Sequence, residues 1–169
     1  LENVYVDKNG KCLLGNPMFE PQLASRLLNP DDSRLLRFIA PELAHGEESD
    51  IRSDIYSIGL TMYFKFNSNR LPFVVSEKGL VTKKEADAAI VSRIDGQPIP
   101  APSKADGRLS SVILKACAYS PYDRYSSPQN MRDAICEYAV SAGIKLDVQN
   151  PSYTISETHE SIQNDRFVF

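Results

Sequence analysis

The sequence has few cysteines and histidines, the residues that form disulfide bridges and most zinc sites. Its three cysteines, Cys12, Cys117 and Cys136, are odd in number and show no C-x-x-C spacing. That usage favours buried thiols in a reducing, cytoplasmic compartment. The only histidines, His45 and His159, lie far from any pair of cysteines, so we expect no zinc site.

Two further absences exclude some classes of function for this chain. The sequence contains no apolar run close to the roughly 20 residues that a helix needs to cross a bilayer, so we expect no membrane span within it. It also lacks an excess of basic residues, because 19 Lys and Arg stand against 22 Asp and Glu for a net charge of −3. That balance gives no electrostatic reason to expect a nucleic-acid partner.

What the sequence does contain fits one globular domain. Its 169 residues are 42% apolar and 24% charged, which is ordinary for a protein with a buried core. The chain enters strand-like sequence directly at Leu1, and we expect it to be cut from a longer protein. We assign residues 1–143 to the domain. Residues 144–169 turn polar and β-branched, which predicts a partly ordered or flexible tail.

The beginning of the domain predicts two strands and a loop. Residues 4–6 and 11–14 are rich in β-branched and apolar side chains and flank the turn sequence "DKNG", a pattern typical of a β-hairpin. Residues 16–36 contain three prolines and show no steady periodicity. They predict a long irregular loop, of the kind that is usually functional or disordered.

A core helix is predicted to begin at Ser53, with Ser53 as its N-cap, and to end at the "NSN" of residues 67–69. Since Leu60 and Phe64 lie off the main apolar stripe and are also apolar, we expect this helix to be buried on most sides. The stripe itself, at helical spacing, consists of Ile55, Ile58, Gly59, Met62, Tyr63 and Phe66.

Three more helices are predicted further along the chain. One spans residues 83–94, and another runs from Leu109 to Cys117. The last begins at Ser126 or Ser127, next to Pro128, and ends near Gly143. These helices outweigh the two short strands, so the predicted fold class is mainly α.

Four short stretches, in order along the chain, resemble those of a known family. "LEN" at 1–3 is similar to the end of the H-R-D-x-x-x-x-N catalytic loop, and "RFIAPEL" at 37–43 contains the A-P-E signature. "SDIYSIG" at 53–59 and "SPYDRYSS" at 120–127 resemble the start of the central helix and a D-P-x-x-R-x-S element. Together they resemble the carboxy-terminal lobe of a protein kinase, most of all that of bacterial, Firmicutes-like serine/threonine kinases.

The resemblance implies a mainly α lobe within an α+β family. Its parts are a short β-hairpin, a long activation-type loop and a helical core. It also implies structural roles for three residues. Glu42 should form a buried ion pair with Arg124, and Asp54 should accept hydrogen bonds from backbone amides of the catalytic loop.

The residues that would handle nucleotide depart from the family pattern. Asn3 matches the metal-binding asparagine of the catalytic loop, and the catalytic Asp would lie upstream of Leu1. Thirteen residues after Asn3, where the family has the Asp of D-F-G, stands Asn16, followed by Pro17. An asparagine offers Mg²⁺ a neutral oxygen, so Asn16 is a poor replacement for a carboxylate. Pro17 also removes a backbone amide where the family has a phenylalanine.

A second departure lies on the predicted substrate-side loop, which consists of Arg34, Leu35, Arg37 and Phe38. Active serine/threonine kinases carry Gly-Thr where this chain has Arg34-Leu35, so the hydroxyl that contacts the catalytic centre is missing. The sequence also contains no G-x-G and no V-A-I-K-like strand. The resemblance therefore covers no amino-terminal lobe.

The resemblance favours a pseudokinase that acts as a binding or regulatory scaffold for a protein partner. For this chain alone we expect no cofactor. One alternative is the carboxy-terminal portion of an active serine/threonine kinase, which would use ATP and Mg²⁺. A further alternative is a stand-alone, non-catalytic protein-binding module. Enzymatic activity therefore stays an open question at this point.

Overall fold

The computed structural model describes residues 4–6, 12–14, 37–74 and 81–144. They belong to two compact units, of which one contains the short strands and the other contains the helices. The predicted loop at 16–36 lies outside the described residues, as does all but the first residue of the predicted tail.

The first unit contains two short antiparallel strands, β1 (Val4–Val6) and β2 (Cys12–Leu14). Val4 pairs with Leu14, and Val6 pairs with Cys12. Both strands lie in stretches whose β-branched and apolar residues predict strand. The turn predicted between them lies outside the described residues.

The second unit is helical, in agreement with the predicted fold class. A 3₁₀ helix at Pro121–Asp123 lies between its last two α-helices. The α-helices are α1 (Pro41–Ala44), α2 (Ile51–Phe66), α3 (Lys83–Ile94), α4 (Gly107–Ala116) and α5 (Pro128–Ser141). No helix in these ranges combines the length and the apolar character that crossing a membrane requires.

Short polar side chains determine where the helices begin. The hydroxyl of Thr82 accepts from the amide of Glu85, whose carboxylate accepts from the amide of Thr82, so a complete capping box starts α3. The Ser127 hydroxyl accepts from the amide of Asn130 and caps α5, with Pro128 in its first turn, as the sequence predicts. These local signals are readable without any tertiary contact.

The predicted start of α2 is wrong. Its N-cap is Asp50, whose carboxylate accepts from the amide of Arg52 at 2.7 Å. Ser53 lies inside the helix and is buried. Its hydroxyl donates to the carboxylate of Glu42 at 2.6 Å, and this buried partner takes the place of a capping bond.

The core forms around α2, which packs against α4. Tyr56, Leu60 and Tyr63 on α2 contact Leu109 and Ile113 on α4 within the main apolar cluster. A second cluster joins α2 to α5 and consists of Ile55, Ala116, Tyr125 and Met131. The most buried face of α2 thus includes the tyrosines of the helix.

One glycine permits the close crossing of α2 and α4. A Cβ atom on Gly59 would lie 2.7 Å from the Cβ of Ala116 and 2.9 Å from the Sγ of Cys117. Real Cβ atoms do not approach other atoms this closely. The absence of a side chain at Gly59 therefore allows the two helix backbones to pack closely.

The predicted apolar stripe of α2 is partly wrong. Ile58 is 49% exposed and Phe66 is 36% exposed, whereas Tyr56 and Leu60, which lie off the stripe, are almost fully buried. The buried face is set by α4 and by the segment before α1, which together cover the side of α2 around Tyr56. The exposed residues of the helix are Ile51, Asp54, Ile58, Lys65 and Phe66, so the helix is buried or half-buried on most sides, as predicted.

Candidate functional site

The candidate site is built around residues 37–42, the segment that enters α1 and contains the A-P-E signature. Ala40 is fully buried and extended, and it makes no side-chain cap. Pro41 suits the first turn of α1, because its missing amide has no partner to lose there. Glu42 follows in the same turn and is 5% exposed, so its carboxylate requires buried partners.

Arg124 supplies those partners. Its Nη1 donates to Oε1 of Glu42 and its Nη2 donates to Oε2, each over 2.7 Å. The arginine side chain is 0% exposed. This is the buried ion pair that the resemblance predicts, and it has the bidentate geometry that gives such pairs their strength.

The remaining donors of Arg124 reach three backbone carbonyls. Nε donates to the carbonyl of Ala118 at 2.8 Å, Nη1 to that of Arg52 at 3.0 Å and Nη2 to that of Tyr119 at 2.9 Å. A guanidinium has five N–H groups, and here each of them has an acceptor. One side chain therefore joins α1, the first turn of α2 and the end of α4.

The protonation state of Glu42 follows from these contacts. Burial by itself raises the pKa of the carboxyl, but the hydrogen bonds from Arg124 and Ser53 outweigh it. The net pKa of Glu42 lies below its ordinary value. The carboxylate is thus charged at neutral pH, as the ion pair requires.

A second buried arginine, Arg93 on α3, holds the segment from the other side. Its Nη1 donates to the carbonyl of Ile39 at 2.5 Å, and its Nη2 donates to the carbonyl of Arg37 at 3.3 Å. No role was predicted for Arg93 from the sequence. Its signal was present, because Ala86, Ala89, Ile90 and Arg93 share one helical stripe, and a charge on such a stripe needs buried partners.

The ring of Tyr56 lies close to both arginines. The guanidinium carbons of Arg124 and Arg93 lie 4.6 and 5.6 Å from its centroid. Its hydroxyl also accepts from Nη1 of Arg93 at 3.0 Å. Burial raises the pKa of Tyr56, so the phenol stays protonated and neutral. Cation–π attraction and the hydrogen bond together hold the three side chains in one network.

Two predicted substrate-side residues lie at the start of this segment. Phe38 is half-buried, with its ring edge-on to Phe64 at a centroid distance of 6.2 Å, and its carbonyl accepts from Ser57 at 2.8 Å. Arg37 is exposed, although its carbonyl accepts from Arg93. The segment therefore combines a fixed backbone with an exposed charged side chain.

Several predicted site residues stay predictions. Asp54 lies in the first turn of α2 and is exposed. Its expected partners, the catalytic-loop amides, belong to residues up to Asn3, which the structure does not describe. Three more predicted residues lie outside the described ranges: Asn16, Arg34 and Leu35.

Within the described residues, the cysteine thiols do not form a reactive site. Cys117 is buried, and burial raises its pKa to about 12, so its thiol is neutral at physiological pH. Cys136 is half-buried, which makes it less enclosed than predicted, and both thiols are free. Across the described ranges, no three residues of the His, Cys, Asp and Glu types form a group that could hold a metal.

Comparison with known proteins points to bacterial kinases. The serine/threonine-protein kinase PknB of Mycobacterium leprae is 30% identical over 99 residues, which is 57% of this chain and 14% of that protein. PksC of Streptomyces coelicolor, also a serine/threonine-protein kinase, is 30% identical over 112 residues, or 62% of this chain and 18% of that protein. The tyrosine-protein kinase MasK of Myxococcus xanthus is 29% identical over 102 residues, or 58% and 14%.

These similarities support a kinase-like domain of bacterial type. The chain spans between 14% and 18% of the length of these three relatives. No protein-family model matches it. The likeness thus concerns one region of much larger proteins.

Proposed function

We propose that this chain is a degenerate kinase lobe, a pseudokinase-like scaffold that binds a protein partner and does not transfer phosphate. The observation that carries the proposal is the buried pair of Glu42 and Arg124, in a sequence that has Asn16 in place of the metal-binding carboxylate. The ion pair that stabilises the helical fold is present, whereas the carboxylate that would bind the metal is replaced by Asn16.

The frame does not depend on a bound nucleotide. Glu42, Ser53 and Arg124 satisfy one another, and the other acceptors of Arg124 are backbone carbonyls of the same unit. Removing one member of a buried pair typically costs about 3–5 kcal/mol, because the other charge stays buried. A lobe held together in this way can present a fixed surface without ATP, as a scaffold must.

The residues that would bind Mg²⁺ are poor ligands for this ion. Asn3 and Asn16 offer neutral amide oxygens, whereas Mg²⁺ prefers carboxylates and gives up its water reluctantly. When bound, Mg²⁺ would neutralise charge that develops on the transferred phosphoryl group. Because the donors do not suit the ion, no phosphoryl-transfer step follows from these residues.

The segment before A-P-E supports the same proposal. Arg34-Leu35 stands where active serine/threonine kinases have Gly-Thr, so no hydroxyl is present to contact the catalytic centre. Further along the segment, the backbone at Arg37 and Ile39 is held by Arg93. We propose that this segment contributes to the surface that binds the partner.

The second candidate is the carboxy-terminal portion of an active kinase. It is favoured by two of the relatives, which are serine/threonine-protein kinases, and by the small share of their length that the chain covers. In that case the base and the lysine would belong to residues upstream, and Asn3 and Asn16 would be the metal ligands. A stand-alone binding module is the third candidate, and the self-contained frame is compatible with it.

Nucleotide binding and phosphotransfer separate these candidates. We would take the natural protein, with any residues that precede Leu1, and measure its thermal stability with ATP, with and without Mg²⁺. We expect no Mg²⁺-dependent shift and no incorporation of labelled phosphate. An Asn16→Asp variant should bind Mg²⁺-ATP more tightly than the natural protein. Clear Mg²⁺-dependent phosphotransfer that Asn16→Ala abolishes would overturn the scaffold proposal.

A further inference from the structure

Two exposed apolar side chains lie where the start of α2 meets the 3₁₀ helix. Tyr122, in the 3₁₀ helix, is 85% exposed, and Ile51, the first residue of α2, is 48% exposed. The guanidinium carbon of Arg52, the next residue of α2, lies 5.0 Å from the centroid of the Tyr122 ring, so the two elements meet at this point. Apolar groups that are exposed together within a polar rim mark interaction sites, whereas single scattered ones are ordinary.

The Tyr122 ring is held by a fixed backbone. Its amide donates to the hydroxyl of Ser120 at 3.3 Å, and Arg124, two residues later, is bound by Glu42 and by the carbonyl of Arg52. The guanidinium of Arg52 also lies over the ring, where cation–π attraction orients it. A tyrosine that is ordered before binding loses little conformational entropy when a partner covers it, and Tyr and Arg often dominate the binding energy of interfaces.

Acidic side chains surround these apolar groups. The exposed carboxylates are those of Glu47, Glu48, Asp50 and Asp123. The basic residue among them, Arg52, is half-buried, and Asp50 lies 3.8 Å from its guanidinium. Four carboxylates therefore stand against one guanidinium across residues 47–52 and 120–123. A surface with this balance attracts a partner that carries an excess of Lys and Arg.

The same charge argues against other occupants. In a dimer with twofold symmetry the same surface of each copy would meet, so the carboxylates of one copy would face those of the other. Like charges brought together at an interface oppose association, and they oppose the binding of nucleic acid or an anionic membrane for the same reason. A basic polypeptide segment meets the opposite charge and can also supply an apolar side chain.

We propose that the Tyr122 surface, which consists of Ile51, Arg52, Tyr122 and the four carboxylates, binds a basic segment of a partner protein. In that segment, Lys or Arg side chains flank an aromatic or aliphatic side chain that packs against Tyr122 and Ile51. This inference rests on the proposed scaffold function and names the chemistry of the partner. It involves no nucleotide, so the phosphotransfer experiment and the binding experiment below can fail separately.

The probe is a random peptide library displayed on phage, because it assumes no sequence for the partner. Selection on the purified natural protein should enrich peptides in which Lys and Arg outnumber Asp and Glu beside an aromatic or aliphatic residue. A synthetic copy of an enriched peptide is then titrated by fluorescence anisotropy. Its Kd should rise at least about tenfold for Tyr122→Ala and at least about threefold for Glu48→Lys. Added salt should weaken its binding to the natural protein.

Val140→Ala and Glu137→Lys are the matched controls. Val140 is 77% exposed and Glu137 is exposed, but both lie on α5, outside the Tyr122 surface. Glu137→Lys changes the net charge of the protein by the same amount as Glu48→Lys does. Each control should leave the Kd within about twofold of that of the natural protein. Ile51→Ala tests the same surface if circular dichroism shows that Tyr122→Ala does not fold.

The inference is overturned if no peptide is enriched, or if the enriched peptides are acidic or uncharged. It is equally overturned if the folded Tyr122→Ala and Ile51→Ala variants bind the peptide as tightly as the natural protein. A dimer in sedimentation that Tyr122→Ala dissociates would also overturn it, because the surface would then join two copies of the chain. These results would leave the scaffold function in place, since that proposal depends on the absence of phosphotransfer.

Discussion

Arg124 donates to both carboxylate oxygens of Glu42, each at 2.7 Å, although 82 positions of sequence separate the two residues. Both side chains are almost completely buried. The pair ties the A-P-E segment to the helical base of the domain. Its stability and its pH dependence are therefore the first properties to test.

Removing the arginine should destabilise the domain strongly. Arg124→Met should lower the free energy of unfolding by about 3–5 kcal/mol, because Glu42 is left buried and charged without its partner. Urea unfolding monitored by circular dichroism measures the change. Arg132→Met is the control, since Arg132 pairs with Asp133 at the surface and such pairs contribute between 0 and about 1 kcal/mol. Equal losses in the two variants would contradict the role assigned to the buried pair.

The pH dependence of stability should reveal the lowered pKa of Glu42. The folded state holds this carboxylate deprotonated more strongly than the unfolded state does, so the contribution is complete above the ordinary pKa of a glutamate. It is lost as the pH falls through the lowered pKa of the folded state. Glu42→Gln should therefore be less stable than the natural chain at pH 7, and the gap should narrow toward pH 3.

Comparing the two chains at each pH removes the effect of other carboxyls, such as Glu85 and Asp106, whose pKa values are also lowered. Unfolding in urea at several pH values gives the gap directly. A gap that stays constant from pH 7 to pH 3 would mean that Glu42 does not titrate as proposed.

The crossing of α2 and α4 should not tolerate a side chain at position 59. Gly59→Ala places a Cβ 2.7 Å from that of Ala116, so the helices must separate, and we expect a loss of about 1–3 kcal/mol. Gly107→Ala is the matched control, because a Cβ there meets nothing within 4 Å. It should change stability by less than about 0.5 kcal/mol. Thermal unfolding of both variants distinguishes them, and a neutral Gly59→Ala would refute the packing argument.

Arg93 should control the order of the segment before α1. Arg93→Met removes donors from the buried carbonyl of Ile39 and from the carbonyl of Arg37, which should cost at least about 1 kcal/mol. Hydrogen exchange should become faster at the amides of Ile39 and Ala40. Lys84→Met, on the exposed side of the same helix, should leave that exchange unchanged. Unaltered exchange in Arg93→Met would show that other contacts hold the segment.

Part of this architecture could be predicted from the sequence because it depends on local chemistry. Ser127 and Pro128 mark the start of α5 without reference to any other part of the chain. The pair of Glu42 and Arg124 could be predicted only through its motifs, since no local pattern links residues so far apart. The order of the motifs thus supplied the long-range information.

The features that could not be predicted depend on tertiary contacts, which a single sequence does not reveal. Ser53 has the chemistry of an N-cap, but the buried carboxylate of Glu42 engages its hydroxyl, and Asp50 caps the helix instead. The exposure of Ile58 depends on which side of α2 its neighbours cover. The predictions for Asn16 and Arg34 remain untested, because both residues lie outside the described ranges.

The five donors of Arg124 also bear on how the domain folds. The acceptors on Ala118 and Tyr119 are local, whereas those on Glu42 and Arg52 meet Arg124 only after a long loop has closed. Until then the guanidinium lacks its contacts with α1 and α2. The bonds to Glu42 and Arg52 therefore form together, which should make the helical unit unfold as one cooperative body. The pair that stabilises the folded frame would in this way also limit the population of half-assembled chains.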